Sequence, residues 1–259
     1  MFQAFDKTAE KIRPVFIING DQFLTANDDG EFVYRPMTEF TVLEAGADRV
    51  VLAPKASTAR ISFVNTINKD LSAFLSDVFS GAVELHRGDT ITCSLQSDRE
   101  VDFVVTDVEE KAYRLESRDC FGRYVPMTEI DGFFSDVWND LPAELRNCIM
   151  DTERYYVDND KKVKSVTRKL FLPSASEIFP PDECLGDRGV YVQMEWYKDL
   201  HNRVRCFEKG GDTDWYWTGS PCAGSSAGWC AVANAGTANN LGASGTGVAA
   251  PVCFRIPRS

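Results

Sequence analysis

The sequence predicts an α+β protein. A small β-rich unit with one helix occupies residues 1–85, and a second domain occupies 86–259. Three observations carry this. Short apolar runs bounded by Gly, Asn and Asp recur through the chain, the pattern of brief antiparallel strands. Helical spacing of apolar residues appears in only a few segments. Residues 215–254 contain no Asp, Glu, Lys, Arg or His although 26% of the chain is charged, so the end of the chain obeys a different rule from the rest.

In chain order, the run 14–19 (PVFIIN) stops at Gly20 and reads as a strand. Asn27-Asp28-Asp29-Gly30 supplies turn chemistry between Phe23-Leu24 and Phe32-Val33-Tyr34, a hairpin signal. Two further strands are expected at 41–44 and 49–53, around Gly46. The period then changes. Ile67, Leu71, Phe74, Leu75, Val78 and Phe79 lie on one helical face, Asn68 to Asp70 supply polar start signals, and Gly81 comes after the end.

His86-Arg87-Gly88-Asp89 reads as a turn and a domain boundary. A three-strand meander is expected over 90–95, 101–108 and 111–116, where VDFVVTDV alternates for one buried face. Ile130, Phe133, Phe134 and Val137 then recur at helical spacing, and Pro142 with Glu144 favours a second helix start. Residues 155–164 (YYVDNDKKVK) read as a hairpin with Asp158-Asn159-Asp160 at its tip. KLFLP at 169–173 reads as a strand, and Ser174-Ala175-Ser176-Glu177 has the spacing of a capping box. A short helix is expected over 195–204 with Trp196 and Leu200 on one side, then strands at 215–218, 229–233 and 251–255.

Gly/Ser/Ala-rich tracts are commonly linkers. This one holds Trp215, Tyr216, Trp217, Trp229, Val248, Val252 and Phe254, large side chains that disordered tracts lack. It is therefore expected to be ordered and pinned by its aromatics. In a strand, Tyr216 faces away from Trp215 and Trp217, which makes Tyr216 the expected contact residue and Trp217 and Trp229 the expected core.

The net charge of −11 disfavours nucleic acid and anionic membranes as partners. No apolar run is long enough to span a bilayer, and residues 1–20 lack the apolar stretch of a signal peptide. The eight cysteines form no CxxC pair and only His86 and His201 are present, so no metal or cofactor is expected. The thiols are expected to be free, with a bridge from Cys222 or Cys230 to Cys253 left open.

Leu172-Pro173-Ser174-Ala175-Ser176-Glu177, then WYWTGSP at 215–221, a small-residue tract, and GVAAPVCFRI at 247–256 succeed one another in order. This resembles the C-type-lectin-fold variable proteins of diversity-generating retroelements, which include phage receptor-binding proteins. The resemblance covers about residues 87–259; Thr218-Gly219 and Ala249-Ala250 depart from it where Arg-containing pairs are common. It implies a C-type-lectin-like domain whose segment at about 220–250 varies. Such elements scramble the adenines of Asn codons, which cannot yield Lys, Glu, Gln or Met, and 221–251 contains none of these. Trp cannot arise that way either, so Trp229 is implied to be scaffold, with Trp215, Trp217, Pro251 and Phe254. The implied variable surface comprises Tyr216, Cys222, Ser225, Ser226, Ala231, Ala233, Ala235, Thr237, Asn239, Leu241, Ser244 and Thr246.

The resemblance implies non-catalytic recognition of a protein or glycan on a target cell, on a virion or a cell surface. It leaves room for a homo-oligomer, because avidity strengthens weak contacts. Two alternatives stand beside it. A formylglycine-generating-like oxidase needs a reactive cysteine pair, for which Cys222 and Cys230 are the only local choice, yet no basic neighbour in the tract would activate either. A calcium-dependent lectin needs clustered carboxylates, and only Glu208, Asp212 and Asp214 lie beside the tract.

Overall fold

In a computed structural model the protein is a mixed α+β chain of small antiparallel sheets with few helices. The described residues are the strand backbones within 2–64 and, with side chains, 71–157, 162–186, 190–222, 225 and 227–259. The turn at 27–30, the helix-start signals at 68–70, the hairpin tip at 158–160 and Ser226 lie outside them. Cα packing divides the chain into two compact units, Met1–Phe74 and Leu75–Ser259.

The first unit is a seven-stranded antiparallel sheet. Its strands are β1 (Phe2–Asp6), β2 (Arg13–Ile18), β3 (Gln22–Ala26), β4 (Phe32–Pro36), β5 (Phe40–Ala45), β6 (Arg49–Pro54) and β7 (Ile61–Val64). They lie in the order β4-β3-β2-β1-β7-β6-β5. Two hairpin meanders are therefore joined where β1 pairs with β7. The expected strands at 14–19 and 41–53 fall on β2, β5 and β6; β1 and β7 carried no clear signal. The helix α1 (Leu71–Ser80) runs across the division, and Gly81 ends it at φ +77°, a left-handed turn that glycine enters without a Cβ penalty.

The second unit is built on the sheet β18-β10-β9-β8. The meander β8 (Thr90–Ser94), β9 (Glu100–Val108) and β10 (Ala112–Ser117) was legible in sequence; the strand beside β10 is the chain end, β18 (Cys253–Pro257). All six residues of β10 are buried, because β10 is flanked by β9 and β18 and covered on both faces. Phe103 of β9 and Phe254 of β18 meet edge-on at 4.9 Å.

A short 3-10 turn (Met127–Glu129) leads into α2 (Ile130–Asp140), which buries Ile130, Phe133, Phe134 and Val137 as its spacing required. The short helix α3 (Ala143–Arg146) starts from Pro142. The hairpin β11 (Thr152–Val157) and β12 (Val163–Arg168) comes next. The 169–173 segment is a single bridge, Phe171 to Cys253, rather than a strand. Ser174 caps α4 (Ala175–Ile178) in a complete capping box with Glu177.

The helix expected at 195–204 is two 3-10 turns, Glu195–Lys198 and Leu200–Arg203, separated at Asp199, whose ψ of 119° is extended. That break removes the shared face: Trp196 packs on the core while Leu200 is 59% exposed. The pair β13 (Arg205–Cys206) and β14 (Thr213–Asp214) precedes a three-stranded sheet of β15 (Tyr216–Pro221), β16 (Gly228–Val232) and β17 (Ala238–Gly242).

Candidate functional site

The neutral tract folds as this β15-β16-β17 sheet and its connections. β17 lies on β16 in unbroken register, from Gly228 opposite Gly242 to Val232 opposite Ala238. β15 does not: its register with β16 shifts between Trp217 and Pro221. In that bulge Thr218 Oγ1 donates to the Cys230 carbonyl (3.0 Å), Gly219 N donates to the Pro173 carbonyl (2.8 Å), and Ser220 Oγ accepts from Ala175 N (2.8 Å). A Cβ at Gly219 would lie 3.2 Å from the Leu172 carbonyl oxygen, so glycine lets the bulge seat against the start of α4. The β16–β17 connection closes through Ala233 N to Thr237 O (2.9 Å) and Gly236 N to Ala233 O (2.8 Å), with Gly236 at φ +78°. On its other side β15 meets Ala249 in a single bridge: Trp217 N donates to Ala249 O and Ala249 N to Trp215 O.

Because β15 is enclosed, its alternation does not separate core from solvent. Tyr216 is 0% exposed, stacks under the Arg205 guanidinium and donates its hydroxyl to the Arg203 carbonyl (2.8 Å). The expectation that Tyr216 is a contact residue is thereby corrected: it is core. Trp217 is buried on the opposite face, its indole Nε1 donating to the Val125 carbonyl (2.6 Å). Cys222, Ala231 and Ala233 are also buried, so they cannot form the surface they were assigned to. Cys222, Cys230, Val232 and Tyr216 pack with Ala175, Ile178, Phe179 and Ala249 in one apolar cluster under the sheet. Pro251 and Phe254 are buried as scaffold.

The face of β16 and β17 away from that cluster is partly accessible: Ala231 on it is fully buried, and the exposed Asn240 lies on the Cys230 side. Trp229 pairs with Leu241, and Ala231 with Asn239, so these four share one side. Trp229, Leu241 and Asn239 are half-buried there, Ala235 and Thr237 are exposed on the adjoining turn, and Ser225, Ser244 and Thr246 are exposed on the connections. Trp229 is thus partly at the surface rather than wholly core, and Trp215 is likewise half-buried. The tract is held largely by main-chain bonds: Ala243 N to Ala227 O (2.9 Å), Gly245 N to Gly242 O (2.8 Å) and Val125 N to Val248 O (2.9 Å) add to those above.

Beneath this frame lies a charged network that no sequence signal announced. Glu177 accepts from Arg114 (2.6 and 3.2 Å), from Arg154 (2.9 and 2.5 Å) and from its own cap, Ser174 N (2.7 Å). Glu116 accepts from Arg205 (2.6 Å), Arg114 (2.9 Å), Thr106 (3.1 Å) and the Tyr197 hydroxyl. All of these side chains are buried. Burial would raise the Glu177 carboxyl, but Arg114 and Arg154 outweigh it and hold it well below the usual carboxylate range. Burial likewise pushes the Tyr197 hydroxyl up, aided by Glu116. Further donors find carbonyls and rings: Arg205 donates to Ser117 O, and Arg154 sits 4.6 Å from the Phe171 centroid and 4.4 Å from that of Tyr191, while Arg114 Nε and Arg205 Nε are buried without a hydrogen-bond partner. The capping-box spacing found Glu177; nothing local marked its partners.

All eight cysteines are thiols outside any disulfide, Cys253 included. The contact the structure does show is Cys222 Sγ to Cys230 Sγ at 3.5 Å. Asp214 accepts from the Tyr124 hydroxyl and from Trp215 N, both at 2.7 Å. No group of three or more His, Cys, Asp or Glu placed to hold a metal occurs among the described residues. Two clefts, of about 340 and 460 Å³, are lined by no residue of the neutral tract. No helix among the described residues is long and apolar enough to cross a membrane.

Residues 116–258, more than half of the chain, match the family model of DUF6273, a domain of unknown function. The chain belongs to the DUF6273 family. The match takes in the whole candidate face. Neither the curated proteins nor the solved structures contain a significant match to the chain.

Proposed function

We propose that the DUF6273 unit is a non-catalytic recognition module with a C-type-lectin-like fold, related to the variable proteins of diversity-generating retroelements. It binds a protein or glycan on a target cell through the open side of β16–β17. The contact residues are Trp229, Asn239 and Leu241, with Ala235, Thr237, Ser225, Ser244 and Thr246 at the margins. The N-terminal sheet serves as the attachment or oligomerisation unit in this reading. The observation that carries the proposal is a division of labour in the tract. Main-chain hydrogen bonds and buried aromatics hold its shape, while small or polar side chains occupy the exposed positions. Loops and strand faces built in this way can change side chains without losing the frame.

The test is binding of the full chain to glycan arrays and to a panel of bacterial cells, repeated with Trp229→Ala and Leu241→Asp. Both variants are expected to lose binding while keeping a cooperative melting transition. Retained binding by both would overturn the assignment of this face.

A further inference from the structure

Cys222 follows the last residue of β15, and Cys230 lies inside β16, two residues past its start at Gly228. Their sulfurs are 3.5 Å apart. Cys222 N donates to the Gly228 carbonyl (2.8 Å), and Pro221 pairs with Trp229. The main chain on both sides therefore already holds the two residues across a hairpin. A disulfide requires that contact to shorten to roughly 2.05 Å, a movement within reach of side-chain rotation and slight strand adjustment. Burial pushes the Cys93 thiol up to about 12 and raises those of Cys120 and Cys253, and the sulfur–sulfur contact recorded among the described residues is the one between Cys222 and Cys230.

We propose that Cys222 and Cys230 form a reversible disulfide that clamps the 222–230 connection. The oxidant is a small hydroperoxide, with hydrogen peroxide as the simplest. Cys222 reacts first because it is 7% exposed against 1% for Cys230, and Cys230 is roofed by Gly186, where even a Cβ would lie 2.9 Å from its sulfur. The Cys222 thiolate attacks one peroxide oxygen. An S–O bond forms, the O–O bond breaks, and the departing hydroxide takes the proton that Cys222 released and leaves as water. The Cys230 thiolate then attacks the Cys222 sulfur. The S–S bond forms, the S–O bond breaks, and the hydroxide leaves as a second water with the Cys230 proton. Two electrons pass from the sulfur pair to the peroxide, and a thiol–disulfide exchange with a small dithiol reverses the change.

The crosslink closes a short ring containing Ser225 and Trp229, so it fixes one margin of the candidate face. That last consequence rests on the recognition reading; the chemistry does not. The experiment treats the full chain with one equivalent of hydrogen peroxide, then alkylates it under denaturing conditions. Intact mass is expected to show two fewer alkylated cysteines than in the reduced chain. A non-reducing elastase digest should link the peptide of Cys222 to that of Cys230. Cys222→Ser and Cys230→Ser should each abolish the link. Limited elastase cleavage within 223–229 should slow about tenfold in the oxidised chain and recover with dithiothreitol. Eight alkylatable cysteines after oxidation, a link to Cys184 or Cys120, or unchanged cleavage of a linked chain would each overturn the proposal. A chain that links and resists cleavage yet binds no cell or glycan in either state leaves the clamp standing and removes the recognition reading.

Discussion

Replacing Glu177 by Gln probes the buried network directly. Glutamine keeps the shape of the side chain and its contact with the α4 cap, but removes the charge that faces Arg114 at 2.6 Å and Arg154 at 2.5 Å. Both guanidiniums are buried, so neither can regain water. Breaking a buried pair by removing one partner costs about 3–5 kcal/mol, since the remaining charge is stranded. Here two cations lose a shared partner, while Glu116 still holds Arg114 at 2.9 Å, which places the expected loss at about 4 kcal/mol on that scale. The assay is urea unfolding monitored by tryptophan fluorescence. Trp138, Trp196, Trp215, Trp217 and Trp229 are the only tryptophans of the chain, and all lie in the unit of residues 75–259. The signal therefore reports that unit alone. A loss below about 1 kcal/mol, at an unchanged m-value, would refute the claim that this carboxylate holds the frame together. The double variant Arg154→Met with Glu177→Gln should recover part of the loss, as replacing stranded charges by apolar groups often does.

Acid should expose the same group. The Glu177 carboxyl is lowered in the folded state, so its contribution is complete above about pH 4.3, the unfolded value, and is lost as pH falls toward the folded one. Urea midpoints measured between about pH 5 and pH 2.5 should therefore fall more steeply for the parent chain than for Glu177→Gln. Trp217→Phe removes the donor to the Val125 carbonyl and leaves a gap, costing about 3 kcal/mol and lowering the melting temperature by roughly 6–12 °C; a shift under about 2 °C would contradict the core assignment. Gly219→Ala forces a methyl to 3.2 Å from the Leu172 oxygen and should cost about 1–3 kcal/mol by chemical denaturation. Ser244→Asn and Thr246→Ala, on exposed connections, should stay within about 0.5 kcal/mol of the parent in the same assay.

Local signals were legible wherever one segment decides its own structure. The capping box at Ser174 and Glu177, the apolar spacing of α2 and the meander β8 to β10 each depend on residues close in sequence. The failures are non-local. β17 reads ANNLG, a poor strand on propensity, and exists because β16 supplies a full ladder for it. Tyr216 alternates correctly with Trp217, but β15, though at the edge of its sheet, is bridged to Ala249 and buried on both faces, so alternation chose between two interiors. Arg114 and Glu116 look like the polar side of a half-exposed strand; Glu177, Tyr197 and Arg205, all distant in sequence, meet them on that face. For the candidate site, the neutral composition located the tract. It could not tell which of its residues face outward, because the bulge at 218–220 resets the register.

The enclosure of β10 has a practical consequence for where the folding unit begins. Family similarity starts at Glu116, inside that strand. Arg114, which grips Glu177, and Phe103, which meets Phe254, both lie upstream of that point. A protein trimmed to the limits of the match would keep the tract intact and still leave its foundation half missing: β8 and β9 gone, β10 cut to Glu116 and Ser117, and a carboxylate deprived of one of its cations. The family match thus opens inside a sheet two of whose four strands, β8 and β9, lie wholly outside it.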